Sequence, residues 1–349
     1  MGYTYEYAIE DFLAMQYEAC KPRYPVAGPL SGAVPWMAWR EGFQAALYGV
    51  LGGYPDDVPP LNIQILKTDA LPGMTRTFFT FDAEHGLKVP SYYLVPDGAT
   101  EKTPAVVAVC GHSFGVRGTV GIDEEGSDYP PGADTGYQKT FALSLCRKGF
   151  VVIAPEMFGF GYLRTRRAID THPEEKSCME ITRQLMMSGR TTCGVRIFTC
   201  VRALAVLAAM GHADMNRIGC MGISGGGQVA AFWAAMDDRV KAAVISGYAH
   251  VFKTGIMKLN NHCIDSYFNG LLQLGELPDL LSLIAPRPML WEVGSLDEYF
   301  PASSACEAAV PLREVYAALG ASDRFDMDEF EGTHQISGAK AYDFLKKWL

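Results

Sequence analysis

From residue 105 onward the chain alternates short unbroken apolar runs with helix-forming stretches, and this rhythm constrains the fold more than any other feature. Strands are predicted at "AVVAV" (105–109), "FVVIAP" (150–155), "RIGCMG" (217–222), "VKAAVIS" (240–246), "PMLWEVG" (288–294) and "DRFDMDEF" (323–330). Helices are predicted at about 137–148, 193–210, 226–236, 303–319 and 338–349. Strands apolar on both faces, separated by helices, specify a mostly parallel α/β sheet covered on both sides. Ahead of them, "TRTFFTF" (75–81) and "KVPSYYLV" (88–95) flank the turn-like "DAEHG" and read as a hairpin.

Residues 1–58 read as an N-terminal helical extension to a catalytic domain at 59–349. Ile9, Phe12, Leu13, Tyr17 and Cys20 recur at helical spacing, and "PWMAWREGFQAALYGVLGG" opens on Pro35 and closes on Gly52 and Gly53. The proline-rich "YPDDVPPL" then marks a boundary. The front either caps a pocket or joins copies of the chain as a homo-oligomer. Two excursions, 113–136 and 247–285, interrupt the rhythm at strand ends, where insertions shape pockets.

The chain has 349 residues, 49% hydrophobic and 20% charged, which is a globular composition. Its net charge of −9 disfavours a nucleic-acid partner. No run of eighteen apolar residues suggests a membrane span, and the acidic start does not resemble a secretory signal. Nine cysteines without a C-x-x-C pair point to a reducing, cytoplasmic setting without a disulfide framework. No H-E-x-x-H or paired Cys/His spacing suggests a metal, and "GISGGGQVA" lacks the residues of either nucleotide-binding glycine loop, so no cofactor is expected.

Two stretches fit G-x-S-x-G: "GHSFG" (111–115) and "GISGG" (222–226). A nucleophile elbow needs a strand before the serine and a helix after it, with small residues two positions to either side. Ser224 meets that test, between "RIGCM" and "GGGQVAAFWAAM". Ser113 follows a strand, but "FGVRGTVGIDEEGSDYPPG" cannot form a helix. Downstream, Asp297 in "EVGSLDEYFP" and His334 in "FEGTHQIS" stand just past the last two strands, in the acid-then-histidine order this architecture uses. Glu292 and Glu298 are rival acids. Such a triad turns a weak hydroxyl nucleophile into a strong one. The oxyanion hole would take one N–H from Gly225 and one from His112 or Ser113. His250 and His262, in the second excursion, are substrate-contact candidates against the commoner structural role of an isolated histidine. Arg164, near Arg166 and Arg167, is a candidate for an anionic or sugar substrate, against a solvated basic face.

With Ser224, "GSLDEYFP", "GTHQIS", "FTFDAEHGLKVPSYYLVP", "KGFVVIAPEMFGFG" and "DLLSLIAPRPML", residues 35–349 resemble the α/β-hydrolase superfamily. Within it the chain is similar to the dienelactone-hydrolase-like branch that includes acetyl xylan esterase-like proteins. The resemblance implies hydrolysis of a small-molecule ester. The branch's name-giving enzymes use a cysteine nucleophile, so a serine argues against dienelactone as substrate. Thr199 stands where relatives often carry Asp. A peptidase of the prolyl-oligopeptidase type and a non-catalytic binding module are the competing readings, since one fold hosts many functions.

Overall fold

The structure, a computed structural model, describes residues 9–123, 125–171, 177–258 and 262–349. The expectations for residues 1–8, for position 124 of the first excursion and for 259–261 of the second lie outside the described residues. Among the described residues nine strands form one sheet: β1 (Gln64–Leu71), β2 (Met74–Glu84), β3 (Leu87–Pro96), β4 (Ala105–Val109), β5 (Val151–Pro155), β6 (Ile218–Ile223), β7 (Val240–Ser246), β8 (Met289–Gly294) and β9 (Phe325–Phe330). Their spatial order is β1-β2-β3-β5-β4-β6-β7-β8-β9. The first three strands form an antiparallel meander, β3 runs antiparallel to β5, and all pairings from β5 across to β9 are parallel. Every residue of β4, β5 and β6 is buried, as unbroken apolar runs require.

Sequence pattern did not foresee β1. It is an edge strand, mostly exposed, and carries Lys67 and Asp69. Its pairing with β2 uses backbone groups, which leave no apolar periodicity to read, and its charges are typical of a protected sheet edge.

The helices are α1 (Glu10–Ala19), α2 (Ala27–Leu30), α3 (Trp36–Val50), α4 (Phe141–Arg147), α5 (Arg166–Thr171), α6 (Cys178–Met187), α7 (Thr192–Met210), α8 (Gly225–Met236), α9 (Leu277–Leu281), α10 (Ala302–Ala318) and α11 (Ala341–Trp348). Helices α7, α8 and α10 cover one face of the sheet, while α4 and α11 cover the other. β6 shows the division. Cys220 points its sulfur at the Ala230 carbonyl of α8, while a side chain on Gly219 would meet Leu345 and Leu349 at the end of α11. Helix α7 is long and apolar enough by composition to cross a membrane, but it packs along α8 with most of its residues buried.

Two expectations change. The helix predicted from 137 begins at Phe141, because Lys139 and Thr140 take left-handed backbone (φ 47° and 49°) and hold Tyr137 and Gln138 in a loop. Among its described residues the first excursion forms no α-helix, but Gly115–Thr119 makes a short 3₁₀ turn. The helical front also divides unequally. Helix α1 buries none of its residues and leaves Ile9, Phe12, Leu13 and Met15 exposed. Helix α3 buries Trp39, Phe43 and Leu47 in the same core as the sheet. Gln44 Nε2 donates to the Ala235 carbonyl at the end of α8 (2.7 Å), and Arg40 pairs with Asp238. So α3 belongs to the core that the sheet and α8 share.

This contrast is testable. Phe43→Ala, at a fully buried ring, should cost about 3–5 kcal/mol in urea unfolding. Phe12→Ala on α1 should stay within about 0.5 kcal/mol. Comparable losses at both positions would contradict the division.

Candidate active site

The strained turn between β6 and α8 is the first component. Ser224 sits at φ 59°, ψ −124°, a conformation L-residues avoid unless their surroundings impose it. The surroundings are backbone. A Cβ on Gly222 would lie 2.2 Å from the Gly226 carbonyl oxygen, and one on Gly226 would lie 2.2 Å from the Val109 carbonyl oxygen. No side chain fits at either position, so the chain doubles back tightly enough to lift the serine to the sheet's rim. The Ser224 amide donates to the Ser246 carbonyl at the end of β7 (3.0 Å). Helix α8 starts at once with Gly225, so its first amides face the serine.

Asp297 follows β8 and His334 follows β9. Their side chains meet: His334 Nδ1 lies 2.7 Å from Asp297 Oδ2. The other carboxylate oxygen accepts the amides of Tyr299 (2.8 Å) and Phe300 (3.0 Å). A carboxylate so fixed holds a proton on Nδ1 and leaves Nε2 as the acceptor. The imidazole is bounded by Tyr137, Tyr299 and Phe300 at ring-centroid distances of 5.8, 5.2 and 5.7 Å. A Cβ on Gly247 would lie 2.7 Å from His334 Cε1. Gly247 directly follows Ser246, the residue that holds the Ser224 amide, so both halves of the constellation seat on the end of β7. Ser224 and His334 line one pocket of about 320 Å³.

The rival acids lie elsewhere. Glu292 is buried inside β8, where it accepts the Ser246 hydroxyl and the Gly338 amide (2.7 Å). Burial pushes its carboxyl up to about 7. Glu298 is exposed.

The GHSFG loop borders the same pocket, and its amides divide by what they already serve. Gly111 N–H donates to Gln138 Oε1 (2.9 Å), whose Nε2 donates to the Gly115 carbonyl (2.9 Å). Tyr137 donates its hydroxyl to the His112 carbonyl (2.8 Å). The amides of His112 and Ser113 therefore remain as candidate oxyanion donors beside that of Gly225, and Ser113 has left-handed backbone (φ 74°). The His112 ring lies directly against Gly225, where a Cβ would come within 2.8 Å of it. Behind the loop stands Glu156, fully buried at the end of β5. Its carboxylate accepts the amides of Val116 (3.1 Å), Met157 (3.1 Å) and Tyr162 (2.9 Å). Burial raises its proton affinity and the amides oppose that. Glycine is required at 115 and 161, where a Cβ would lie 2.2 and 2.0 Å from that carboxylate. Sequence reasoning missed Tyr137, Gln138 and Glu156, which carry no motif of their own.

The three substrate-contact candidates separate. His262 lines the pocket, with Nε2 2.6 Å from the Gly255 carbonyl oxygen. His250 does not line it. Its ring is enclosed by Tyr248, Phe252 and Phe300, and burial pushes its pKa down to about 3. Arg164 also lies off the pocket lining and donates Nε to the Gly161 carbonyl (2.9 Å).

Residues 132–261, which contain the elbow, match the dienelactone hydrolase family. The chain is 29% identical over 308 residues to "Putative hydrolase YtaP" of Bacillus subtilis (strain 168), covering 87% of this chain and 97% of that one. Among solved structures, the chain is similar to a "putative acetyl xylan esterase" from Bacteroides fragilis NCTC 9343 (TM-score 0.74, 15% identity, 91% of this chain and 81% of the other). It is also similar to a glucuronoyl esterase from Solibacter usitatus (TM-score 0.64, 17% identity, 88% and 90%). At these identities the likeness establishes the architecture, the α/β-hydrolase fold.

Two of the buried titratable groups near the site, Glu292 and His250, act on stability with opposite sign. Glu292 keeps its proton in the fold up to about 7 against an ordinary 4.5, so its contribution to stability falls as pH rises through that window. His250 stays neutral in the fold down to about 3 against an ordinary 6.5, so its contribution falls as pH drops through that window. Thermal melts from pH 3 to 8 should show a flatter neutral limb for Glu292→Gln and a flatter acid limb for His250→Gln. Slopes identical to the parent protein in both variants would contradict these environments.

Proposed function

We propose that the protein is a serine-dependent carboxylester hydrolase that removes a short acyl group through an acyl-enzyme. The observation that carries the reading is the Asp297–His334 hydrogen bond, opening into the pocket that Ser224 borders. His334 Nε2 takes the Ser224 proton as Oγ attacks the ester carbonyl, and Asp297 stabilises the resulting imidazolium. The oxyanion forms against the Gly225 amide and one from His112 or Ser113. Collapse expels the alcohol, which takes its proton from His334, and a water activated by the same imidazole releases the acid.

The pocket's small volume favours a small substrate, since ligand sites run from about 300 to 1,000 Å³. Its wall of Tyr137, Tyr248, Tyr299 and Phe300 suits stacking on a sugar ring. Acetyl on a sugar is therefore the favoured substrate class. The name of one structural neighbour, a putative acetyl xylan esterase, agrees with it, and that of the glucuronoyl esterase agrees with an ester substrate more broadly. A prolyl-oligopeptidase-type peptidase is the second reading, and it differs from the first in the bond it cleaves. A non-catalytic module would leave the Asp–His pair and the strained serine without a purpose.

Ser224→Ala should lower kcat on p-nitrophenyl acetate by about 10⁶, by analogy with serine triads elsewhere. Ser113→Ala should retain most activity. Equal loss from both would overturn the assignment of the nucleophile, and cleavage of a Pro-linked chromogenic peptide without ester turnover would select the peptidase. Gly247→Ala, whose methyl presses on His334, should lower kcat by about 10² through misplacement of the base.

A further inference from the structure

Behind the oxyanion loop, four residues from three distant segments converge: His112, Cys178 at the start of α6, and Cys263 and Asp265 in the second excursion. One donor atom from each lies within 4.8 Å of all the others. Cys178 and Asp265 are buried, and neither cysteine is in a disulfide. Two polar atoms of these residues are buried without a hydrogen bond among the described residues: His112 Nε2 and Asp265 Oδ1. His112 Nε2 stands 3.6 Å from Asp265 Oδ2, beyond ordinary hydrogen-bond length. Buried polar atoms without partners are rare and call for an explanation.

We propose that His112, Cys178, Cys263 and Asp265 bind one zinc ion. Two thiolates, an imidazole and a carboxylate form a four-coordinate donor set of the kind zinc takes in structural sites. Arg196 occupies a second-sphere position. It is fully buried and donates to Asp265 Oδ2 at 2.7 Å, which leaves Oδ1, the orphaned oxygen, for the metal. Charge also balances: a dication and one guanidinium face two thiolates and one carboxylate, so the buried cluster is neutral overall. Binding releases the two thiol protons to solvent and changes no oxidation state. Tetrahedral zinc places its ligand atoms about 3.3–3.8 Å apart, so the widest separations need to contract by about 1 Å.

The site ties three parts of the pocket wall together: the oxyanion loop through His112, whose ring bears on Gly225, the start of α6, and the second excursion through Cys263, which lines the pocket. The consequence for the loop rests on the hydrolase reading, whereas the binding does not.

The test is metal content and cobalt spectroscopy on the full chain. Protein purified under reducing conditions and loaded with Zn²⁺ should retain about one equivalent after desalting. Co²⁺ in its place should give tetrahedral visible bands and a thiolate charge-transfer band. Both should vanish in Cys178→Ser/Cys263→Ser, and persist in Cys20→Ser/Cys306→Ser. Far-UV circular dichroism verifies that each variant is folded. Because a misfolded double variant would not discriminate, thiol alkylation of the parent protein is the second measurement: Zn²⁺ should protect Cys178 and Cys263 selectively. Sub-stoichiometric zinc without a charge-transfer band would overturn the proposal, as would a Cys178–Cys263 disulfide in protein that holds no metal. Zinc binding in a protein inactive on esters would sustain this site and sink the hydrolase reading. An active esterase that binds no zinc would do the reverse.

Discussion

Contact between bare backbones at the ends of β4 and β6 underlies everything else at the site. Gly226 touches the carbonyls of Val109 and Cys110, and Gly222 touches Gly226. Close packing there is what imposes the positive-φ conformation on Ser224, and the strain is sustained because β6 on one side is buried throughout and α8 on the other over all but its last residue. The topology supplies the place. From β4 the chain steps one way to β5 and then returns past β4 to β6, and a crevice opens at such a reversal beyond the carboxyl ends of the strands.

Around that contact the protein uses buried polar groups as fixtures. Gln138 holds the first residue of the GHSFG loop, Tyr137 holds the second, and Glu156 gathers three amides from the segments after β4 and β5. A carboxylate buried at this depth is tolerable only because those amides replace its water. Such fixtures allow an irregular, glycine-rich loop to keep one shape without a helix to support it.

The parts legible in the sequence were those whose signal is local. Strands β4 to β8 announced themselves as apolar runs, and Ser224, Asp297 and His334 by their positions just past strand ends. β1 was invisible because an edge strand needs no apolar face. The start of α4 was placed four residues early because left-handed backbone at Lys139 and Thr140 has no compositional signature in "YQKTF". Sequence alone leaves His250 and His262 equivalent, two histidines of one excursion with a structural role as the commoner one, because only three dimensions separate a ring within the wall from one on its surface. The His112–Cys178–Cys263–Asp265 cluster was beyond reach for a related reason. Metal motifs are read from spacing along the chain, and these donors are assembled by packing.

The end of β7 has a mechanical consequence. Ser246 receives the Ser224 amide through its carbonyl, gives its hydroxyl to Glu292 on β8, and is followed by the glycine on which the His334 ring rests. Hydroxyl and imidazole are thus referenced to one short piece of chain, rather than to two elements that breathe independently. When thermal motion flexes the sheet, the two groups ride together, and their mutual alignment is buffered against distortions that would part them in a site assembled from unconnected loops.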